Sequence, residues 1–240
     1  LAKKLSEISL NTPEVKIIAP FYKNKYLYES RNKLNFRGLL APDIPKTGRL
    51  LCYANNFISP VALKLANPEI IHETYYSASI NMATRARRVI TVYDMIHELF
   101  SNQFSKDDPT RDAKKRAINR ADHVICISQN TRDDLINILG VERERTSVVH
   151  LGFSLRARES SAARFDSKPF VLYVGSRGGY KNFSRLAEAY ASSPILSNEF
   201  DLICFGGGDF RQEEINLFRQ LKISPEKIRH VSGDDGLLAE

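Results

Sequence analysis

The chain has 240 residues, 42% apolar and 26% charged, an ordinary composition for a folded protein with one large or two modest cores. Its 35 Lys and Arg against 28 Asp and Glu give a net charge of +7, which suits anionic partners (nucleic acid, lipid headgroups or phosphorylated substrates) without choosing among them. No apolar run approaches the roughly 18 residues that span a bilayer and nothing reads as a signal peptide, so a cytoplasmic protein is expected. Cys52, Cys126 and Cys204 each lie in an apolar, strand-like run without metal-ligand spacing and are expected as reduced core residues.

In chain order, Leu1, Leu5 and Ile8 read as the end of a helix. With no initiating methionine, and a helical turn opening at Glu240, the sequence reads as a piece of a longer protein. Val15–Pro20 reads as a strand. Residues 22–48 are basic and aromatic, with Lys23, Lys25, Arg31, Lys33 and Arg37 among Tyr22, Tyr26, Tyr28 and Phe36. Such interleaving can stack the bases of a single strand. A solvated loop, or a helix whose aromatics face the core, is the preferred reading, and no nucleic acid is expected as partner. Pro42, Pro45 and Gly48 mark a turn. Strand-like apolar segments follow at Leu50–Tyr53, Glu69–His72 and Arg88–Tyr93, with helical patterns at Ile58–Leu65 and 109–120. Then come Val124–Ile127, a helix with Ser128 or Thr131 as cap and Gly140 at its end, and Ser147–His150. Strands alternating with helices at this spacing predict a parallel, doubly wound α/β sheet.

Residues 155–168 are polar, lack apolar periodicity and read as a linker between domains at 1–154 and 169–240. The second series is strand 170–174, helix 182–191, strand 201–205, helix 211–222 and strand 228–231, after which the unit is cut short. Each strand delivers a small-residue loop at its carboxyl end: Gly175, Ser176 and Gly178, then Gly206, Gly207 and Gly208, then Val231, Ser232 and Gly233. Arg177 and Lys181 stand in the first loop, just before a helix N-terminus. Three such loops on one sheet edge make a floor for a nucleotide, and the two cations suit a diphosphate. In the first domain the matching edge carries His72 and Glu73, then Tyr93, Asp94, His97 and Glu98. Asp94 is placed to orient a sugar hydroxyl or act as a base, and His97 to bond an acceptor. Equally, Asp94 can cap the next segment and His97 can be a surface histidine. No histidine set has metal-ligand spacing and no Asp-x-Asp is present, so no metal or other cofactor is expected.

The segments VITVYDMIHELF (89–100), ADHVICISQNTRDDL (121–135), TSVVHLGFS (146–154), FVLYVGSRGGYKN (170–182), LICFGGGDF (202–210) and RHVSGDDGLLAE (229–240) resemble the retaining GT-B glycosyltransferases of family four, in the family's order. The resemblance is greatest to the mannosyltransferase-like branch of surface polysaccharide and lipopolysaccharide synthesis. It implies two Rossmann-like domains across a cleft, the second incomplete here, with a nucleotide sugar held mainly by the second. Arg177 and Lys181 match the basic pair on the donor diphosphate. Gly175, Ser176, Gly206 and Gly207 match the nucleotide floor, and Val231 matches the position whose backbone meets the base. Asp94 and His97 fall in the catalytic segment, where Tyr93 replaces a histidine common in relatives. The family's first strand would precede Leu1, and its paired glutamates would follow Glu240.

The implied reaction is metal-free transfer of a hexose, with mannose from GDP-mannose as the branch's donor. Its acceptor is a glycan or polyprenyl-linked glycan. An anionic inner-membrane surface is a further expected partner, with Arg85, Arg87, Arg88, Lys114, Lys115, Arg116 and the 22–37 stretch as contacts. The competing reading is a non-catalytic sugar-nucleotide or polysaccharide-binding module of the same fold. A nucleic-acid-binding protein and a GT-B epimerase or phosphorylase rank lower.

Overall fold

The computed structural model describes residues 14–30, 32, 35–42, 44–45, 47–77, 85–152 and 168–239, and the chain divides into two compact units, Leu1–His150 and Leu151–Glu240. The helix expected at the start, the domain boundary at 154 and the linker up to residue 167 lie outside the described residues.

In the first unit β1 (Ile17–Tyr22) and β2 (Phe36–Leu40) pair in parallel, joined through α1 (Lys25–Ser30). The long helix α2 (Gly48–Ala66) packs on β1. There Asn55 clamps the backbone of Phe21: its Oδ1 accepts the Phe21 N–H at 2.8 Å and its Nδ2 donates to the carbonyl at 2.9 Å. A separate parallel sheet runs β3 (Ile70–Glu73), β4 (Arg87–Val92), β5 (His123–Cys126) and β6 (Thr146–Val148) in that order. Between its strands lie α3 (Ile96–Leu99), α4 (Thr110–Arg120) and α5 (Gln129–Leu139). Right-handed crossovers between strands laid in sequence order put successive helices on one face. Accordingly Ile90, Val92, Val124 and Cys126 form one core with Ala117 and Ile118 of α4 and Leu135 of α5. The opposite face is tied by cross-strand pairs, His72 Nε2 with Thr91 Oγ1 at 2.8 Å and His123 Nε2 with Ser147 Oγ at 3.0 Å.

The second unit repeats the plan with β7 (Phe170–Val174), β8 (Asp201–Phe205) and β9 (Ile228–Val231). Its helices are α6 (Phe183–Ser192), α7 (Pro194–Glu199), α8 (Gln212–Gln220) and α9 (Asp235–Leu238). Phe183, Ala187 and Tyr190 of α6 meet Leu202, Cys204, Ile228 and Phe218 in the core. The other face of β7, with Phe170, Leu172 and Val174, is exposed. The α/β, two-unit Rossmann-like class read from the sequence is the observed one.

Three local readings are corrected. Leu50–Tyr53 is not a strand but part of the first two turns of α2, which leaves Cys52 exposed rather than in the core. Residues 36–40 form a strand, and Tyr22 and Phe36 pack edge-to-face at 4.9 Å, so these aromatics serve the core. Lys114 and Arg88 are buried and cannot serve a membrane surface, whereas Arg85, Arg87, Lys115 and Arg116 are exposed. Arg31 and Lys33 lie outside the described residues. Among the described residues no helix is long and apolar enough to cross a membrane.

Candidate functional site

The three strand ends of the second unit meet as one surface. The Gly175 N–H donates to the Phe205 carbonyl at 2.9 Å and the Gly206 N–H to the Val231 carbonyl at 2.8 Å, so the ladder runs on past each strand. Those N–H groups, and the Val231 carbonyl, belong to the sheet. Gly206, Gly207 and Gly208 then take φ values of +75°, +74° and +75°, a run that only glycine enters without strain. A Cβ on Gly207 would lie 2.5 Å from the Gly175 carbonyl oxygen, so the first two loops touch backbone to backbone. Ser176 is exposed, and its carbonyl accepts the Tyr173 hydroxyl at 2.7 Å.

Arg177 sits inside this surface, not on it. Its side chain is 2% exposed, and Nε donates to Glu214 Oε1 at 3.0 Å. One terminal nitrogen donates to the Gly206 carbonyl at 3.0 Å, the other to the carbonyls of Gly208 at 2.8 Å and Asp209 at 3.0 Å. Phe210 lies under the guanidinium at 4.8 Å. Glu214 also accepts the Arg211 N–H at 2.8 Å at the start of α8. Burial pushes the Glu214 carboxyl up, but the Arg211 N–H and Arg177 outweigh it and hold it below the usual carboxylate range. Lys181 is the contrasting cation. It is exposed, in the 3₁₀ turn Gly179–Lys181, with Nζ 5.3 Å from the Tyr180 ring centre. Asn182, which leads into α6, makes no side-chain cap bond, so the first-turn N–H groups of α6 lie uncapped beside Lys181. The structure thus separates the two cations that the sequence places together.

In the first unit the edge after β4 is also built over a buried cation. The Lys114 side chain is 0% exposed; Nζ donates to Glu98 Oε2 at 2.7 Å and to the Asp94 carbonyl at 2.9 Å. The Asp94 side chain stays 43% exposed, with Oδ1 accepting the Ile96 N–H at 3.2 Å and standing 3.7 Å from Lys114. His97 stacks on Phe104 at 4.1 Å, and its Nε2 faces Asp108 Oδ2 at 3.6 Å. Its ring is thus engaged by the segment after α3. Glu73 is buried between Arg88, whose Nη1 donates to Oε1 at 3.3 Å, and Arg120, whose Nε donates to Oε1 at 3.0 Å and Nη2 to Oε2 at 2.5 Å. Among the described residues no cluster of His, Cys, Asp and Glu is placed to hold a metal.

The sequence profile of Glycosyltransferase Family 4 matches residues 10–157, more than half of the chain. The chain belongs to Glycosyltransferase Family 4. Among solved structures it is similar to WaaG, a glycosyltransferase involved in lipopolysaccharide biosynthesis, with 16% identity over 85% of this chain and 59% of that one and a TM-score of 0.58. It is similar to a glycosyltransferase from Rickettsia africae, with 14% identity over 91% and 60% of the two chains and a TM-score of 0.53. It is also similar to a putative UDP-N-acetylglucosamine 2-epimerase from Listeria monocytogenes, with 9% identity over 95% and 71% and a TM-score of 0.54. The chain spans about three-fifths of the length of these two glycosyltransferases. Identities this low establish the shared GT-B fold alone, and that fold serves transferases and an epimerase alike. No curated protein sequence matches the chain.

Within this Family 4 chain two residues central to the geometry escape a reading of the sequence. Glu214 neutralises Arg177 from 37 residues away, a separation that no local motif announces. Lys114 looks like one of a basic surface run, Lys114–Lys115–Arg116, and only its place on the inner face of α4 shows that it is buried.

Proposed function

We propose that this Family 4 chain carries the sugar-handling sites of a glycosyltransferase that moves a hexose from a nucleotide diphosphate sugar to a glycan in cell-surface polysaccharide or lipopolysaccharide synthesis. The observation that carries the donor assignment is an exposed Lys181 at the uncapped N-terminus of α6, in the same unit as a loop of left-handed glycines at the end of β8. Breaking the anomeric C–O bond leaves negative charge on the departing diphosphate. An ammonium and a helix N-terminus stabilise that charge where it develops. Arg177 acts indirectly, by holding the Gly206–Gly208 loop in the shape a nucleotide lies against. Mannose as the hexose and GDP as its carrier rest on the resemblance to the mannosyltransferase-like branch alone, retention on the resemblance to the family, and independence of metal on the lack of an Asp-x-Asp sequence. The test is product formation by the full-length protein from GDP-mannose, UDP-glucose and UDP-galactose with polyprenyl-linked glycan acceptors. Transfer is expected in the wild type, with a fall on the order of 10²-fold in Lys181→Ala. Donor binding without product from any acceptor favours the non-catalytic module. A changed sugar without acceptor favours an epimerase.

A lipid-linked acceptor at the cytoplasmic face of a membrane is part of the same reading, supported by α2. Leu50, Tyr53, Phe57, Val61 and Leu65 are exposed, Phe57 and Leu65 at 78%, and recur along one side of the helix. The helix sequence holds Arg49 and Lys64 and no acidic residue. An apolar stripe with cations and no anions fits the interface of an anionic bilayer. Co-sedimentation with phosphatidylglycerol vesicles is expected, reduced on the order of tenfold by Phe57→Glu. Equal sedimentation of the two proteins removes α2 from the account.

A further inference from the structure

The edge of the first unit holds three tyrosines that the donor chemistry leaves unused. Tyr75 and Tyr76 follow β3, and Tyr93 follows β4. Tyr76 is the anchor: it packs against the core, and the Lys114 ammonium stands 5.3 Å from its ring centre. Tyr75 leans on it with ring centres 4.8 Å apart and faces Tyr93 at 6.4 Å with the planes tilted by 40°. Tyr75 is nonetheless 63% exposed. A large ring braced from behind and bare in front is costly to leave in water, and a lone exposed aromatic would need no brace. Beside it stands the Asp94 carboxylate, part-exposed and neutralised only at a distance, because Lys114 gives its short bonds to Glu98 and to the Asp94 carbonyl. Burial pushes the Tyr75 phenol up, and the nearby Asp94 and Asp108 carboxylates add to the shift, so the phenol stays protonated as a donor.

We propose that Tyr75, Tyr93 and Asp94 form the subsite for the acceptor sugar, with the C–H face of a neutral pyranose on the Tyr75 ring and a sugar hydroxyl donating to Asp94. This rests on the glycosyltransferase reading and names how the acceptor is recognised. Two alternatives are weaker on charge. A nucleobase would stack as well, but its phosphates would enter the field of Asp94 and Asp108. An aliphatic chain would cover the ring and leave the carboxylate to be desolvated without a partner. A polyol satisfies both parts, an apolar face for the ring and an O–H donor for the carboxylate.

The test uses saturation-transfer NMR of the protein with mannotriose, maltotriose and cellotriose, and with GMP and UMP as controls. Wild type, Tyr75→Ala and Tyr75→Phe are compared; the exposed position lets all three fold. Binding of at least one trisaccharide is expected, weakened by about five- to tenfold in Tyr75→Ala and kept in Tyr75→Phe. No trisaccharide binding to wild type, or equal binding to Tyr75→Ala, overturns the subsite, as does a mononucleotide whose signal alone depends on Tyr75. If the trisaccharide signal depends on Tyr75 while no nucleotide sugar gives product, the subsite stands and the transferase reading fails.

Discussion

Each unit has a buried cation beneath a loop at the end of a strand, Lys114 reaching it from helix α4 and Arg177 from the neighbouring strand-end loop, and the two shape those loops in different ways. Lys114 is a point charge: it neutralises Glu98 and holds one carbonyl, that of Asp94. The side chains of the loop above it, Tyr93 and Asp94, remain available. Arg177 is a fork: it pairs with Glu214 and gathers the carbonyls of Gly206, Gly208 and Asp209. The loop above it presents glycine backbone, and Lys181, four residues beyond Arg177, is exposed. An ammonium suffices to fix a single point, whereas three carbonyls in a tight bend need the planar, multi-donor guanidinium. The first unit recognises through side chains, the second through the shape of its main chain.

The largest expected effect that would sharpen the comparison is at Arg177. Arg177→Ala removes the buried guanidinium from Glu214, which keeps only the Arg211 N–H at 2.8 Å and the exposed Arg211 guanidinium at 3.4 Å, and should destabilise the protein by about 3 kcal/mol in denaturant unfolding. Arg177→Lys keeps a charge for Glu214 but cannot reach three carbonyls. It should recover part of that stability while nucleotide binding stays weak. A lysine variant equal to wild type in both would break the distinction between fork and point charge.

Gly207→Ala comes next. With φ at +74° and a new Cβ 2.5 Å from the Gly175 oxygen, it should cost about 1–3 kcal/mol and spread the two loops apart. Thermal unfolding with and without nucleotide reads both effects. The smallest effect is acid sensitivity. Glu214 is held below its unfolded value of about 4.3, so its contribution is complete above that pH and is lost as pH falls through the folded value. Stability measured from pH 5 downward should therefore fall less steeply in Arg177→Ala than in wild type.

Much of this fold is legible in the sequence, because β7 and β8 are short, mostly apolar runs that lead straight into Gly175 and Gly206. Ser128 and Gly140 likewise announce the ends of α5, and both act as caps, Ser128 Oγ accepting the Thr131 N–H at 3.1 Å and Gly140 taking φ +66°. Leu50–Tyr53 misleads because a four-residue apolar run fits a strand as well as a helix, and the helical pattern read at Ile58–Leu65 covers only the second half of the helix that starts at Gly48. At the site the residue types are legible but their directions are not. Arg177 and Lys181 are four residues apart with the same charge, and what separates them is Glu214, brought beneath the loop by the packing of α8. In the same way Asp94 and His97 share a short segment, yet Phe104 and Asp108 engage the histidine.

The most direct test of the account is calorimetric titration of wild type and Lys181→Ala with a nucleoside diphosphate and its monophosphate. If the exposed ammonium holds the diphosphate, wild type binds the diphosphate more tightly than the monophosphate. Lys181→Ala should then lose that preference by about tenfold with its melting temperature unchanged. An undiminished preference in Lys181→Ala would contradict the account and move the diphosphate away from the N-terminus of α6.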